Sequence, residues 1–158
     1  MLRWRRSCYT HSPVNSQAIR TGEVGATVEP VVGKRILVVE DEPLIAALLT
    51  DMLMADGHEV DAVGTGRAAL DQLSRRPYDL IVSDLRMPEL DGRGLYGELE
   101  SRHPEMLSRV IFVTGSALDP ANEEFLGRTR VPWLSKPFSI ADLHTFTQRA
   151  LRRLAGGD

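Results

Sequence analysis

The sequence predicts an α/β fold, a doubly wound parallel sheet with helices on both faces. Three observations carry this. From Arg35 onward, five short apolar segments rich in β-branched residues alternate with stretches of helical character. The helical stretches repeat apolar residues at i, i+4 spacing, so each has one face to bury. Strand-helix units in series need crossover connections, which are right-handed and cover a parallel sheet on both sides.

The elements follow in order. Residues 35–40, RILVVE, form the first strand, and Pro43 marks entry into the first helix, where a missing amide is harmless. In that helix Leu44, Leu48 and Met52 run beside Ile45, Leu49 and Leu53 as a two-row stripe. Residues 58–63, HEVDAV, form a second strand that is polar at three of six places and therefore suits a sheet edge. The third and fourth strands are residues 79–84 and 109–114, and Asp119-Pro120 opens the helix after the fourth. The fifth strand is residues 131–135. Ser139 and Asp142 then form a capping-box start for a last helix whose buried face is Ile140, Leu143, Phe146, Ala150, Leu151 and Leu154.

Residues 1–33 read differently. They carry Arg3, Arg5, Arg6 and Arg20, no acid before Glu23, and no sustained period, so they read as a flexible tail before a domain of residues 34–155, with 156–158 a short tail. The arginine-rich start lacks the amphipathic face of a transit peptide and the apolar segment of a signal peptide. A net charge of −3 argues against an extended basic nucleic-acid surface, and no apolar run approaches the ~20 residues of a membrane span. Cys8, the single cysteine, makes no intrachain disulfide, which is compatible with a reducing cytoplasm.

The carboxyl ends of the strands carry the chemistry, because ligands of such sheets bind there. Glu40, Asp41 and Glu42 end the first strand and Asp84 ends the third. Converging carboxylates raise one another's pKa unless a cation intervenes, and hard oxygens are what Mg²⁺ prefers. The fourth strand ends in Thr114 and the fifth is followed by Lys136. Carboxylates, a hydroxyl and an ammonium with Mg²⁺ suit the receipt of a phosphoryl group, with a carboxylate as nucleophile. Blander roles remain open for single residues. Glu42 can serve the helix N-terminus, Thr114 can reflect β propensity, and Trp133 can be edge packing. His11, His58, His103 and His144 lack metal-ligand spacing.

The motifs VVEDE, SDLRMPELDG, VTG and LSKPF, with Asp41, Asp84, Thr114 and Lys136 separated by 43, 30 and 22 residues, resemble the receiver domain of two-component response regulators over about residues 35–154. The resemblance implies a flavodoxin-like (βα)5 fold of strand order 2-1-3-4-5. It implies that Asp84 accepts the phosphoryl group, that Asp41 ligates Mg²⁺ directly and Glu40 mainly through water, and that the Arg86 carbonyl completes the protein ligands. Thr114 and Lys136 would bind phosphoryl oxygens, Lys136-Pro137 would be cis, and Trp133 would occupy the switch position that is usually Tyr or Phe. The implied partners are a histidine kinase or histidine phosphotransfer protein and a downstream protein reached through helix four, strand five and helix five, with no nucleic acid, no membrane insertion and a cytoplasmic location. Such a domain is a signalling receiver rather than an enzyme. With about four residues after Leu154, output is expected through protein contacts or onward phosphotransfer. The stretch TGSALDPANEEFL resembles receivers attached to hybrid sensor kinases.

Two rivals follow from the same residues. Gly64-Thr65-Gly66-Arg67-Ala68-Ala69 fits a dinucleotide fingerprint, with Asp84 twenty residues after Gly64. The polar strand before it is unsuited to the central position that fingerprint needs, and Glu40, Asp41, Thr114 and Lys136 would be left without a role. Gly33-Lys34 fails as a P-loop, since Arg35 stands where Ser or Thr is required. A pseudo-receiver, a binding module without phosphorylation, would be signalled by loss of an acceptor-site residue, and all are present.

Overall fold

A computed structural model describes residues 28–156. Of the tail read over residues 1–33, residues 1–27, which include Cys8 and His11, lie outside the described residues, whereas Val31 is tied to the domain by exchanging two 2.8 Å hydrogen bonds with the Gln148 side chain. The elements are β1 Arg35–Val39, α1 Pro43–Ala55, β2 Glu59–Val63, α2 Gly66–Arg75, β3 Leu80–Ser83, α3 Gly92–Arg102, a 3₁₀ segment Pro104–Arg109, β4 Val110–Thr114, α4 Pro120–Thr129, β5 Trp133–Ser135 and α5 Ile140–Gly156. All strands are parallel, in the order β2-β1-β3-β4-β5.

Burial follows strand position. β1, β3 and β4 are buried almost throughout, while β2 and β5 are half exposed, as expected when only central strands are covered on both faces and flanked on both sides. Alternate residues of the central strands enter two cores. Ile36, Val38, Leu80, Val82, Ile111 and Val113 pack with α1 and α5 through Leu49, Leu53, Leu143 and Leu151. Leu37, Val39, Ile81 and Phe112 face the other way, toward Leu95, Leu99, Phe125 and Leu126 of α3 and α4. The sheet is therefore doubly wound.

Three sequence expectations need correction. Leu44 is 79% exposed and Leu48 45% exposed, so the row of Ile45, Leu49 and Leu53 packs on the sheet, joined by Met52 alone from the other row. Ile140 is exposed as well, because it lies in the first turn of α5, before the helix reaches the core. Arg109 ends the 3₁₀ segment rather than opening β4, and its guanidinium donates to the Tyr78 carbonyl at 2.8 Å. The capping box of α5 is present: the Ser139 amide donates to Asp142 Oδ2 at 2.9 Å, and the Asp142 amide donates to Ser139 Oγ at 3.1 Å.

The glycines of the fingerprint-like segment have a packing reason. Gly66 is buried, its amide donates to the Leu90 carbonyl at 3.1 Å, and a Cβ there would lie 2.6 Å from that same oxygen. Thr65 caps α2 by accepting from the Ala68 amide. With β2 at the sheet edge, nothing remains for a dinucleotide to explain.

A carboxylate and lysine cluster at the carboxyl edge of the sheet

Strand register builds the site. Val39 of β1 pairs with Ser83 of β3, so the next residues, Glu40 and Asp84, emerge side by side. The ladder continues past both strand ends, with the Asp84 amide donating to the Val39 carbonyl at 3.0 Å and the Glu40 amide to the Val63 carbonyl at 2.9 Å. Across β4 the Lys136 amide donates to the Thr114 carbonyl at 3.0 Å, which carries the lysine to the same edge. Lys136-Pro137 is cis, as the resemblance implied.

Lys136 Nζ bridges two acids. It donates to Glu40 Oε2 at 2.6 Å and to Asp84 Oδ2 at 3.1 Å. Glu40 is buried, Asp84 is half-buried and Asp41 is exposed, and one carboxylate oxygen from each lies within 4.8 Å of the others. Burial pushes Glu40 above its ordinary pKa, opposed by the Lys136 hydrogen bond and by the Glu42 amide, which donates to Oε1 at 3.1 Å. For Lys136, burial disfavours the charge, but the hydrogen bond to Glu40 and the field of Asp84 outweigh it and hold the ammonium above its usual value. Three carboxylates against one ammonium leave negative charge uncompensated. Hard oxygen donors in that balance fit a divalent cation such as Mg²⁺.

The remaining predicted residues lie on the neighbouring strands or in the turn after β3. Arg86 lies two residues beyond Asp84; its amide donates to Asp84 Oδ1 at 3.2 Å, while its side chain turns away to Asp119 Oδ2 at 2.6 Å. That pairing accounts for Asp119 giving α4 no side-chain cap. Thr114 is fully buried, and its hydroxyl meets Ser116 rather than Asp84 or Lys136. Trp133 opens the edge strand β5 and is 41% exposed.

Sequence reasoning missed three supports. Gly92 is buried and its amide donates to the Leu85 carbonyl at 3.0 Å; a Cβ there would collide with the Asp84 carbonyl and lie 2.8 Å from Leu85 Cα. Ser116 and Asn122 are buried polar residues linked to Thr114. An Asn in the first turn of an apolar-faced helix was the available signal, since Asn there must satisfy its amide locally.

A family model, the response regulator receiver domain, matches residues 36–148. The response regulator protein FleR of Pseudomonas aeruginosa is 34% identical over 125 residues, covering 78% of this chain and 26% of its own length. The transcriptional regulatory protein TcrA of Mycobacterium tuberculosis is 34% identical over 123 residues, covering 78% of this chain and 48% of its own. The chain thus spans half or less of the length of these relatives. Among solved structures, the receiver domain of the sensor histidine kinase PA1611 from Pseudomonas aeruginosa, with a magnesium ion coordinated in its active site cleft, aligns at a TM-score of 0.67 and 33% identity, covering 80% of this chain and 100% of that one. A sensor protein from Polaromonas sp. JS666 aligns at 0.68 and 32% identity, covering 77% and 98%. The strand order, the acid and lysine edge and a family match across most of the described residues agree, and the chain belongs to the response regulator receiver domain family.

Proposed function

We propose that this domain accepts a phosphoryl group on Asp84 from a histidine kinase or histidine phosphotransfer protein in the cytoplasm and passes the signal on by protein contact. The observation that carries the reading is Lys136 Nζ, held between buried Glu40 and half-buried Asp84 at 2.6 and 3.1 Å. A lysine so placed sets a positive charge beside Asp84 and stands ready for the charge of an incoming phosphoryl group.

In the proposed step an Asp84 carboxylate oxygen forms a bond to phosphorus as the N–P bond of a phosphohistidine breaks. The imidazole leaves with the bonding pair and takes up a proton. Lys136 pairs with one phosphoryl oxygen and the Thr114 hydroxyl donates to another. Glu40, mainly through water, Asp41, Asp84 and the Arg86 backbone carbonyl would hold Mg²⁺, which when bound neutralises phosphoryl oxygens. The coordinated magnesium of the PA1611 receiver supports this assignment. Exposed Leu44 and Leu48 on α1 and Ile140 on α5, close in sequence to the site residues, offer apolar surface to a protein partner. Trp133 and the surface of α4, β5 and α5 would report the modified state as a shift between two conformations.

Incubating the protein with phosphoramidate and Mg²⁺ should add one phosphoryl mass, and Asp84→Asn should abolish it. Full labelling of Asp84→Asn by intact-mass spectrometry would exclude this residue as the acceptor.

A further inference from the structure

Behind Thr114 lies a buried chain of hydrogen bonds that runs into α4. Asn122 Nδ2 is 2.8 Å from the Ser116 carbonyl and 3.0 Å from Ser116 Oγ. Ser116 Oγ is 3.1 Å from Thr114 Oγ1, and the Ser116 amide donates to that same Thr114 oxygen at 3.2 Å. All three residues are buried, with Thr114 fully so. A buried network of this kind has a direction, because each hydroxyl owns one hydrogen and must place it.

The direction follows from chemistry. A carbonyl only accepts, so the Asn122 nitrogen must face the Ser116 carbonyl, and its second hydrogen goes to Ser116 Oγ. Ser116 then directs its own hydrogen to Thr114 Oγ1, its other side-chain partner among the described residues. Thr114 Oγ1 now accepts twice, from the Ser116 amide and the Ser116 hydroxyl, so both lone pairs are engaged and its own hydrogen is left to give. We propose that Asn122 is a positioning residue that sets the polarity of this chain, so that Thr114 presents a hydrogen, not a lone pair, to the phosphoryl group on Asp84. The proposal rests on the reading of Asp84 as acceptor and Thr114 as donor.

Asn122→Asp tests it with a side chain of the same size, which also gives up the bond to the Ser116 carbonyl. A carboxylate accepts only, so Ser116 would turn its hydrogen toward α4, Thr114 would donate to Ser116, and the phosphoryl group would meet a lone pair. With phosphoramidate and Mg²⁺, the labelling rate of the full chain should fall roughly tenfold or more, the size expected for losing a hydrogen bond to a charged group. In a Thr114→Ala background the same substitution should change nothing further, a coupling that mere loosening of α4 would not produce. Ser116→Ala removes the middle of the chain and serves if Asn122→Asp fails to fold; it should slow labelling severalfold and make the rate insensitive to Asn122→Ala. Wild-type rates in Asn122→Asp or Ser116→Ala, or an undiminished effect of Asn122→Asp in the Thr114→Ala background, overturn the proposal alone. A wild-type rate in Thr114→Ala, or labelling of Asp84→Asn, overturns the reading beneath it.

Discussion

His58 is a buried side chain with no part in the acid and lysine cluster. It precedes the edge strand β2; its Nδ1 accepts from the Lys34 amide at 3.3 Å, so the ring hydrogen sits on Nε2, which is buried without a partner among the described residues. Burial pulls its pKa below the ordinary 6.5, against the attraction of Asp56 and Asp79, while His144 and Lys34 add to the depression. The unfolded chain therefore takes up a proton at a higher pH than the native one. The stabilisation tied to a neutral His58 is complete above pH 6.5 and is lost as pH falls through the depressed native value. His58→Asn keeps an acceptor for Lys34 and removes the titration. Denaturant midpoints at about pH 7.5 and about pH 5 should show a smaller acid-induced loss for the variant, and equal losses would show that His58 is not the group responsible. No periodicity announced this residue, since a histidine before a polar edge strand reads as solvent-facing until the chain around Lys34 and Gly57 closes over it.

At the scale of elements, α1 shows what periodicity tells and what it leaves open. Two adjacent rows of apolar residues differ by about 100° of rotation, and a helix lying on a sheet buries one stripe. The sequence offers both rows as equals; the docking of α1 against β1 and α5 selects Ile45, Leu49 and Leu53, with only Met52 from the other row. Leu49, at 1% exposure, and Leu44, at 79%, are thus the same residue type in the same helix with opposite consequences. Leu49→Ala should destabilise the domain by ~2–5 kcal/mol through lost burial and the cavity left behind. Leu44→Ala should stay within about 0.5 kcal/mol, as exposed substitutions do. Urea unfolding of both variants measures this, and comparable losses would mean that α1 is docked on a different face. β2 was more legible because its polar residues were incompatible with a central place. The polarity chain through Ser116 and Asn122 was not, because it depends on how the turn after β4 folds back on the first turn of α4, which neither segment encodes alone.

For the whole molecule, the sheet trades stability for a concentration of charge at one edge. Alternation of strands and helices established the fold class and which strand ends bear chemistry. The neighbour relation of β1 and β3, on which the meeting of Glu40 with Asp84 depends, came from family resemblance, because spacing along a chain does not state which parallel strands pair. With that register, Glu40, Asp41 and Asp84 gather around one ammonium, and the repulsion that remains opposes folding until a cation enters. Mg²⁺ should therefore raise the melting temperature by mass action, at ~2.7 kcal/mol when its concentration is about a hundred times Kd. Asp41 is exposed and makes no side-chain hydrogen bond or ion pair among the described residues, so its removal tests charge with little loss of structure. Asp41→Ala should melt at or above the wild-type temperature in chelator and respond less to Mg²⁺, whereas Asp71→Ala, an exposed acid on α2, should keep the full response. If Asp41→Ala and Asp71→Ala gain equally from Mg²⁺, the metal binds elsewhere, and the three acids at the sheet edge are held by Lys136 alone.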